Sequence, residues 1–265
     1  MNVGQAMDGA FKQRLVAGQP AFGCWIEMFS PIAAEIVARA GYDCVLIDLE
    51  HGPGSYLDAL SLMQVVEGLG PAPLVRVPSN DPVAIKRVLD IGAAGVMIPA
   101  VDTPEQAEAA VTACRYPPKG KRGMAASIVR ASDYGARWRD YVAEAGANLL
   151  VMCQIESAAA VGNAARIAAA DGVDMLFIGP FDLSANVDHL GEPDHAEVRA
   201  MIAGVERAAK DAGRLLGGIP TPERSVGELL DAGYDLVLAD ADVALLRGAA
   251  TASLAAMRAA AAGKT

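Results

Sequence analysis

The sequence predicts a single (β/α)8 barrel followed by a long C-terminal helix, and three observations carry that prediction. Eight short apolar runs of strand length recur along 265 residues. Stretches with helical patterning, several opened by a cap residue or proline and closed by glycine, lie between them. The runs are continuously apolar rather than alternating, as in strands covered on both faces. Strands and helices in alternation make a parallel sheet, and eight strands at this chain length close into a barrel. A doubly wound open sheet is the competing architecture with the same rhythm.

The runs are FGCWIEM (22–28), CVLIDLE (44–50), PLVRV (73–77), GVMIP (95–99), NLLVMCQIE (148–156), MLFIGP (175–180), LLGGI (215–219) and DLVLA (235–239). Helices are expected in SPIAAEIVARAG, SNDPVAIKRVLDIG, DTPEQAEAAVTAC and TPERSVGELLDAG, with Gly41, Gly92, Gly213 and Gly233 as left-handed stops. The segment from Tyr116 to Gly146 exceeds a simple turn, and its PPKGKRG stretch reads as an exposed loop. The alanine-rich tail ADVALLRGAATASLAAMRAAAAG reads as a long helix that docks on something. No linker or repeat beyond the βα rhythm divides the chain, so residues 1–265 read as one domain.

Composition narrows the function. Hydrophobic residues make up 53% of the chain, enough for a large core. A net charge of −10 with no basic stripe repels phosphate backbones and anionic membranes, which argues against nucleic acid as a partner. The N-terminus has no apolar leader pattern and no run reaches membrane-span length, so a soluble cytoplasmic protein is expected. Cys24, Cys44, Cys114 and Cys153 form no CxxC pair and read as small buried hydrophobes.

Ionisable residues recur where the predicted strands end. Glu27 ends the first; Asp48, Glu50 and His51 end the second; Arg76 lies near the end of the third. Gln154 and Glu156 end the fifth, and Asp182 follows the sixth. A barrel collects its reactive groups at that face. Each has a structural alternative: Glu156 can simply precede a serine cap, Asp182 can cap a helix, and Arg76 can be a structural ion pair. Together they describe a site. Glu156 and Asp182, on neighbouring strands, suit a hard octahedral cation such as Mg²⁺ or Mn²⁺, to which a 2-oxo acid adds two oxygens. Such a metal stabilises an enolate as a Lewis acid, and Arg76 adds a permanent charge beside the oxyanion. His51 is the candidate proton carrier, with Asp90 as a candidate orienter of its ring. His189 and His195, in SANVDHLGEPDH, read as loop histidines rather than ligands. None of the six lysines falls at the end of a predicted strand, which disfavours a Schiff base.

DLEHGP, LVRVP, LDIGAAGVMIP, GKRGMAASIVRASDYG, QIES and IGPFDLS, in that order, resemble the HpcH/HpaI family of metal-dependent (class II) pyruvate aldolases. The resemblance runs from about residue 22 to the C-terminal helix. It implies reversible cleavage of 4-hydroxy-2-oxo acids to pyruvate, or a close relative, and an aldehyde through a metal-bound enolate. By that resemblance Glu156 and Asp182 hold Mg²⁺ or Mn²⁺, with Co²⁺ a further candidate. Arg76 binds the keto oxygen, and His51 with Asp90 handles protons. Asp48 and Glu50 support waters on the metal side, while Trp25 and Gln154 line the pocket. Backbone amides around Pro180, Phe181 and Asp182 meet the pyruvate carboxylate. The resemblance also implies a homohexamer, a trimer of dimers, with exchanged C-terminal helices. Phe181 departs from the small residue expected there and narrows the acceptor side. An oxaloacetate decarboxylase, a CoA-thioester lyase (for whose nucleotide only KGKRG offers a basic groove) and a non-catalytic 2-oxo acid binder are the alternatives.

Overall fold

The computed structural model describes residues 9–262; the start of the N-terminal stretch and Lys264 lie outside the described residues. The chain runs α1 (Ala10–Val16), β1 (Ala21–Ile26), α2 (Pro31–Ala40), β2 (Cys44–Asp48), α3 (Tyr56–Glu67), β3 (Ala72–Arg76) and α4 (Pro82–Asp90). It continues through β4 (Gly95–Ile98), α5 (Pro104–Cys114), α6 (Trp138–Asn148), β5 (Leu150–Ile155), α7 (Ala158–Ala169), β6 (Met175–Ile178) and α8 (Pro180–Asn186). Last come α9 (Ala196–Asp211), β7 (Leu215–Gly218), α10 (Val226–Asp231), β8 (Leu236–Ala241) and α11 (Asp242–Ala262). All eight strands pair in parallel with their neighbours, and β8 closes on β1. The open sheet is thereby excluded.

Strand alternation sorts the apolar residues into two layers. Cys44 and Leu46, Leu74, Met97, Leu150 and Met152, Met175 and Phe177, and Leu236 and Leu238 pack in one cluster inside the barrel. Val45, Ile47, Val75, Val96, Ile98, Val151, Cys153 and Leu176 face the helices. Following the inner series two residues further up each strand reaches Trp25, Asp48, Arg76 and Gln154. Strand periodicity therefore delivers polar side chains to the mouth of an otherwise apolar cup.

Caps fix where helices begin. The Ser30 Oγ accepts from the Ala33 N–H, and the Asp81 carboxylate from those of Val83 and Ala84. Thr103 and Ser225 form capping boxes with Gln106 and Glu228. The Thr-Pro pair at 221–222 does not open α10, because Asp194 takes the Thr221 hydroxyl and the Glu223 N–H (3.1 Å). The helix starts at Val226, behind Ser225, instead.

The KGKRG stretch is not wholly exposed. Arg122 is buried, with its guanidinium 4.7 Å from the Tyr116 ring and 2.7 Å from Asp90. This cluster lies at the N-terminal end of the barrel, away from the strand ends that carry the candidate site, which removes the basic groove a CoA thioester would need there. All four cysteines are free and buried, and burial pushes the Cys153 thiol up to about 12. Among the described residues no helix is long and apolar enough to cross a membrane.

The barrel interior depends on Gly217. A Cβ there would sit 2.6 Å from Phe177 Cδ2 and 2.7 Å from Met175 Sδ. Gly217→Ala should therefore destabilise the fold by about 1–3 kcal/mol through overpacking. Adding Phe177→Leu should recover part of the loss in urea unfolding.

Candidate active site

The site is built around one buried ion pair. Asp48 and Arg76 are register partners at the ends of β2 and β3, and both are buried. Arg76 Nε donates to Asp48 Oδ1 (2.8 Å) and Nη2 to Oδ2 (2.6 Å). The two-point fork fixes the guanidinium plane, and the Trp25 ring lies over it, 4.5 Å from Cζ. Phe177 meets Trp25 edge-on at 6.1 Å, so the barrel core supports the stack from below. Burial alone would raise the pKa of Asp48. The Arg76 hydrogen bonds and charge, with the N–H groups of Glu50 and His51, outweigh it and hold the carboxyl below its ordinary range.

Carboxylates crowd around this pair. Arg76 Nη1 lies 3.1 Å from Glu50 Oε2, an ion pair without hydrogen-bond alignment, so that buried oxygen has no hydrogen-bond partner. Burial raises the Glu50 carboxyl; Arg76 and His51 oppose the rise, while Asp48 and Asp182 add to it. Glu156 is pushed up to about 7, first by burial and then by the charges of Asp182 and Glu50, against the Ala100 N–H and Arg76. Its Oε1 accepts from Ala100 N–H (2.8 Å) and its Oε2 from Gln154 Nε2. Gln154 Oε1 is buried with no partner. Gly179 keeps the space open, since a Cβ there would lie 3.1 Å from Glu156 Oε2. Glu27 is raised by burial and by Asp48 and Asp242, against Arg76 and His51.

The structure brings most of the expected residues to one rim and leaves one away from it. Trp25, Asp48, Glu50, His51, Arg76, Gln154, Glu156, Phe181 and Asp182 all lie at or just beyond strand C-terminal ends. Ser157 does cap α7, yet Glu156 still faces the site. Asp182 sits in the first turn of α8, whose cap is Gly179. Pro180 opens that helix and has no N–H, so Phe181 and Asp182 alone can donate from its first turn. Asp90 is the residue held apart. It ends α4, which runs back from the strand C-terminal face, and its carboxylate pairs with Arg122. Within the chain it does not reach His51.

His189, Glu192 and His195 bring ligand atoms within 4.8 Å of one another. The two rings are stacked at 3.5 Å and 26°, which sets their lone pairs side by side rather than on a common point. His189 Nε2 contacts Glu197, and His195 Nδ1 accepts the Glu197 N–H to cap α9. They remain loop and cap residues. Sequence reasoning missed Ala100, which donates to Glu156, and Phe29, which packs against the His51 loop. Both have left-handed backbones, with φ 51°. The glycines at 52 and 54 are the signal that a close neighbour was coming.

Comparison with known proteins agrees with this fold. The family described as HpcH/HpaI aldolase/citrate lyase matches residues 21–249. A hydroxypyruvate/pyruvate aldolase from Chromohalobacter salexigens is 42% identical over 88% of this chain and 91% of its own. A 4-hydroxy-2-oxo-heptane-1,7-dioate aldolase from Klebsiella pneumoniae is 41% identical over 92% of both. The crystal structure of an HpcH/HpaI aldolase/citrate lyase family protein from Burkholderia cenocepacia, 40% identical, superposes with a TM-score of 0.89 over 94% of this chain and 99% of that one.

Removing Arg76 should expose how much the fold relies on its pairing. Arg76→Ala strands a buried carboxylate and should cost about 3–5 kcal/mol in urea unfolding at pH 7. Arg76→Lys should recover only part, because one ammonium cannot span both oxygens. The folded Asp48 carboxyl lies below its ordinary value of 3.8, so its contribution is present above that pH and lost as pH falls through the folded value. In acid the gap between wild type and Arg76→Ala should therefore shrink.

Proposed function

This chain belongs to the HpcH/HpaI aldolase/citrate lyase family, and from that membership we propose a metal-dependent aldolase of the pyruvate type. It cleaves 4-hydroxy-2-oxo acids reversibly to pyruvate, or a close relative such as hydroxypyruvate, and an aldehyde. One observation carries the reading: a guanidinium fixed at the mouth of an apolar barrel, among carboxylates in excess, with His51 on the adjoining loop.

The carboxylates fit a hard divalent cation. Glu156 and Glu50 are both driven toward the neutral form by burial and by acidic neighbours, and Gln154 Oε1 and Glu50 Oε2 are buried oxygens without hydrogen-bond partners. Glu156 and Asp182 would hold Mg²⁺ or Mn²⁺, with Co²⁺ a further candidate, and Asp48 and Glu50 would support its waters. Such a cation supplies Lewis-acid stabilisation of the negative charge that develops on the 2-oxo oxygen.

The chain does the rest. Asp48 and Trp25 hold the Arg76 plane, so its remaining N–H groups meet that oxygen. First-turn N–H groups of Phe181 and Asp182 receive the carboxylate. Gln154 keeps Glu156 in place. In cleavage, His51 takes the proton from the C4 hydroxyl, the C3–C4 bond breaks, and C4 leaves as the aldehyde. The bond's electron pair passes to the C3–C2–O system, and C3 then gains a proton to become the methyl of pyruvate. Phe181, 44% exposed beside Asp182, narrows the acceptor side. The five described lysines lie in α1, α4, α9 and the loop after α5, all away from strand C-terminal ends, which disfavours the imine route.

Assembly follows from the last helix. In α11 only Asp242 is buried, and Leu245, Leu246, Leu254 and Met257 are exposed. Ile32 and Ile36 on α2 are exposed as well. Apolar surface on that scale supports self-association through this helix, and the family resemblance implies its form, a homohexamer (a trimer of dimers) that exchanges the helix, in a cytoplasmic protein.

Metal-stripped protein is the test. It should have no aldolase activity, regain it with Mg²⁺ or Mn²⁺, and gain no mass from pyruvate and borohydride. Glu156→Ala and Asp182→Ala should abolish metal binding in calorimetry while unfolding like wild type. Because Glu156 titrates near 7 without metal, the metal must displace a proton below that pH. Affinity should rise with pH up to about 7 and level off above it. Full activity after stripping would reject the reading.

A further inference from the structure

The loop between β1 and α2 holds a residue in an uncommon backbone state. Phe29 has φ 51°, a left-handed value rarely adopted by a bulky side chain. Its neighbours are tied down on both sides. The Asp242 carboxylate accepts the N–H groups of Glu27 (3.0 Å) and Met28 (3.1 Å), and Ser30 caps α2.

The Phe29 ring is aimed at the segment that follows His51. A Cβ on Gly54 would lie 1.9 Å from Phe29 Cδ1 and 2.1 Å from Cε1. A Cβ on Gly52 would lie 2.4 Å from Phe29 Cε2 and 2.4 Å from the Asp48 carbonyl oxygen. Neither glycine has a left-handed φ, so space rather than backbone freedom requires them. On its other side the loop hangs from Asp48, whose Oδ1 accepts the Glu50 N–H at 3.0 Å and the His51 N–H at 3.4 Å. His51 itself is exposed. Its imidazole takes its position from a backbone held between Asp48 and the Phe29 ring.

We propose that Phe29 is a positioning residue for His51: its ring, seated on Gly52 and Gly54, holds the loop that presents the imidazole to the aldehyde oxygen. The inference rests on His51 as the proton carrier of the proposed aldolase. Phe29 acts through the loop and touches no reacting atom.

The test separates loop order from chemistry. In Phe29→Ala, amide hydrogen exchange across residues 50–55 should rise while the barrel strands keep their protection. The kcat for 4-hydroxy-2-oxo acid cleavage should fall about 10–10²-fold, the usual cost of a small misplacement. Oxaloacetate decarboxylation, which needs no proton at an aldehyde oxygen, should stay within about twofold, as it should for any change confined to the His51 step. In a His51→Gln background Phe29→Ala should cost nothing further, because the two residues act in series. Equal losses in both reactions, an equal cost in both backgrounds, or unchanged exchange at 50–55 would each overturn the proposal. If Phe29→Ala does not fold, Phe29→Leu faces the same comparisons with smaller changes of the same sign. Should wild type cleave no 4-hydroxy-2-oxo acid, the aldolase reading fails, and amide exchange alone decides whether Phe29 orders the loop.

Discussion

The two-point pair between Asp48 and Arg76 organises this site. It joins adjacent strands in register, so any slip of β2 against β3 would separate a carboxylate from a guanidinium, both buried. Every neighbour is placed relative to it. Trp25 covers the guanidinium face, Glu50 approaches its outer nitrogen, and the loop carrying His51 hangs by N–H groups from the same Asp48. An apolar cup of Leu, Met and Phe side chains would otherwise reach the mouth of the barrel. Two charges that neutralise and bind each other are what such a cup can hold without a large desolvation penalty.

That neutralisation is complete for Asp48 alone. Arg76 is the one permanent cation named at this rim, against Glu27, Asp48, Glu50, Glu156, Asp182 and Asp242. Burial first, and then that surplus, raises the carboxyls of Glu27, Glu50 and Glu156. A divalent cation at Glu156 and Asp182, as proposed, would offset part of that excess, so one arrangement of acids would explain both their reluctance to ionise and their fitness as ligands.

Much of this was readable from the chain. The eight strands are apolar runs with both faces covered, and ionisable residues at their ends have few bland explanations in a barrel. The misreadings came from sites where a distant partner decides. Arg122 sits in a stretch whose composition says exposed loop; Tyr116 of the same loop, Tyr141 of α6 and Asp90 of α4 bury it. Thr221 and Pro222 resemble a helix start until Asp194 takes the group that would cap it. Periodicity cannot see the Arg122–Asp90 and Thr221–Asp194 contacts, because each joins residues far apart in sequence.

Phe29 lies at the edge of what a sequence can say. Holding a non-glycine residue in strained backbone geometry costs on the order of 1–3 kcal/mol, and it persists where the surroundings over-determine it. Here they do. Asp242, at the first turn of the last helix, grips the two residues before Phe29, and α2 begins immediately after it. The chain therefore ends its barrel on the carboxylate that stiffens its first active-site loop. The seat of α11, the strained phenylalanine and the His51 loop form one mechanical series, in which stability at one end of the chain sets geometry at the other. Gly52 and Gly54 are the visible trace of that series in the sequence: two glycines that no turn requires, spaced to admit a ring.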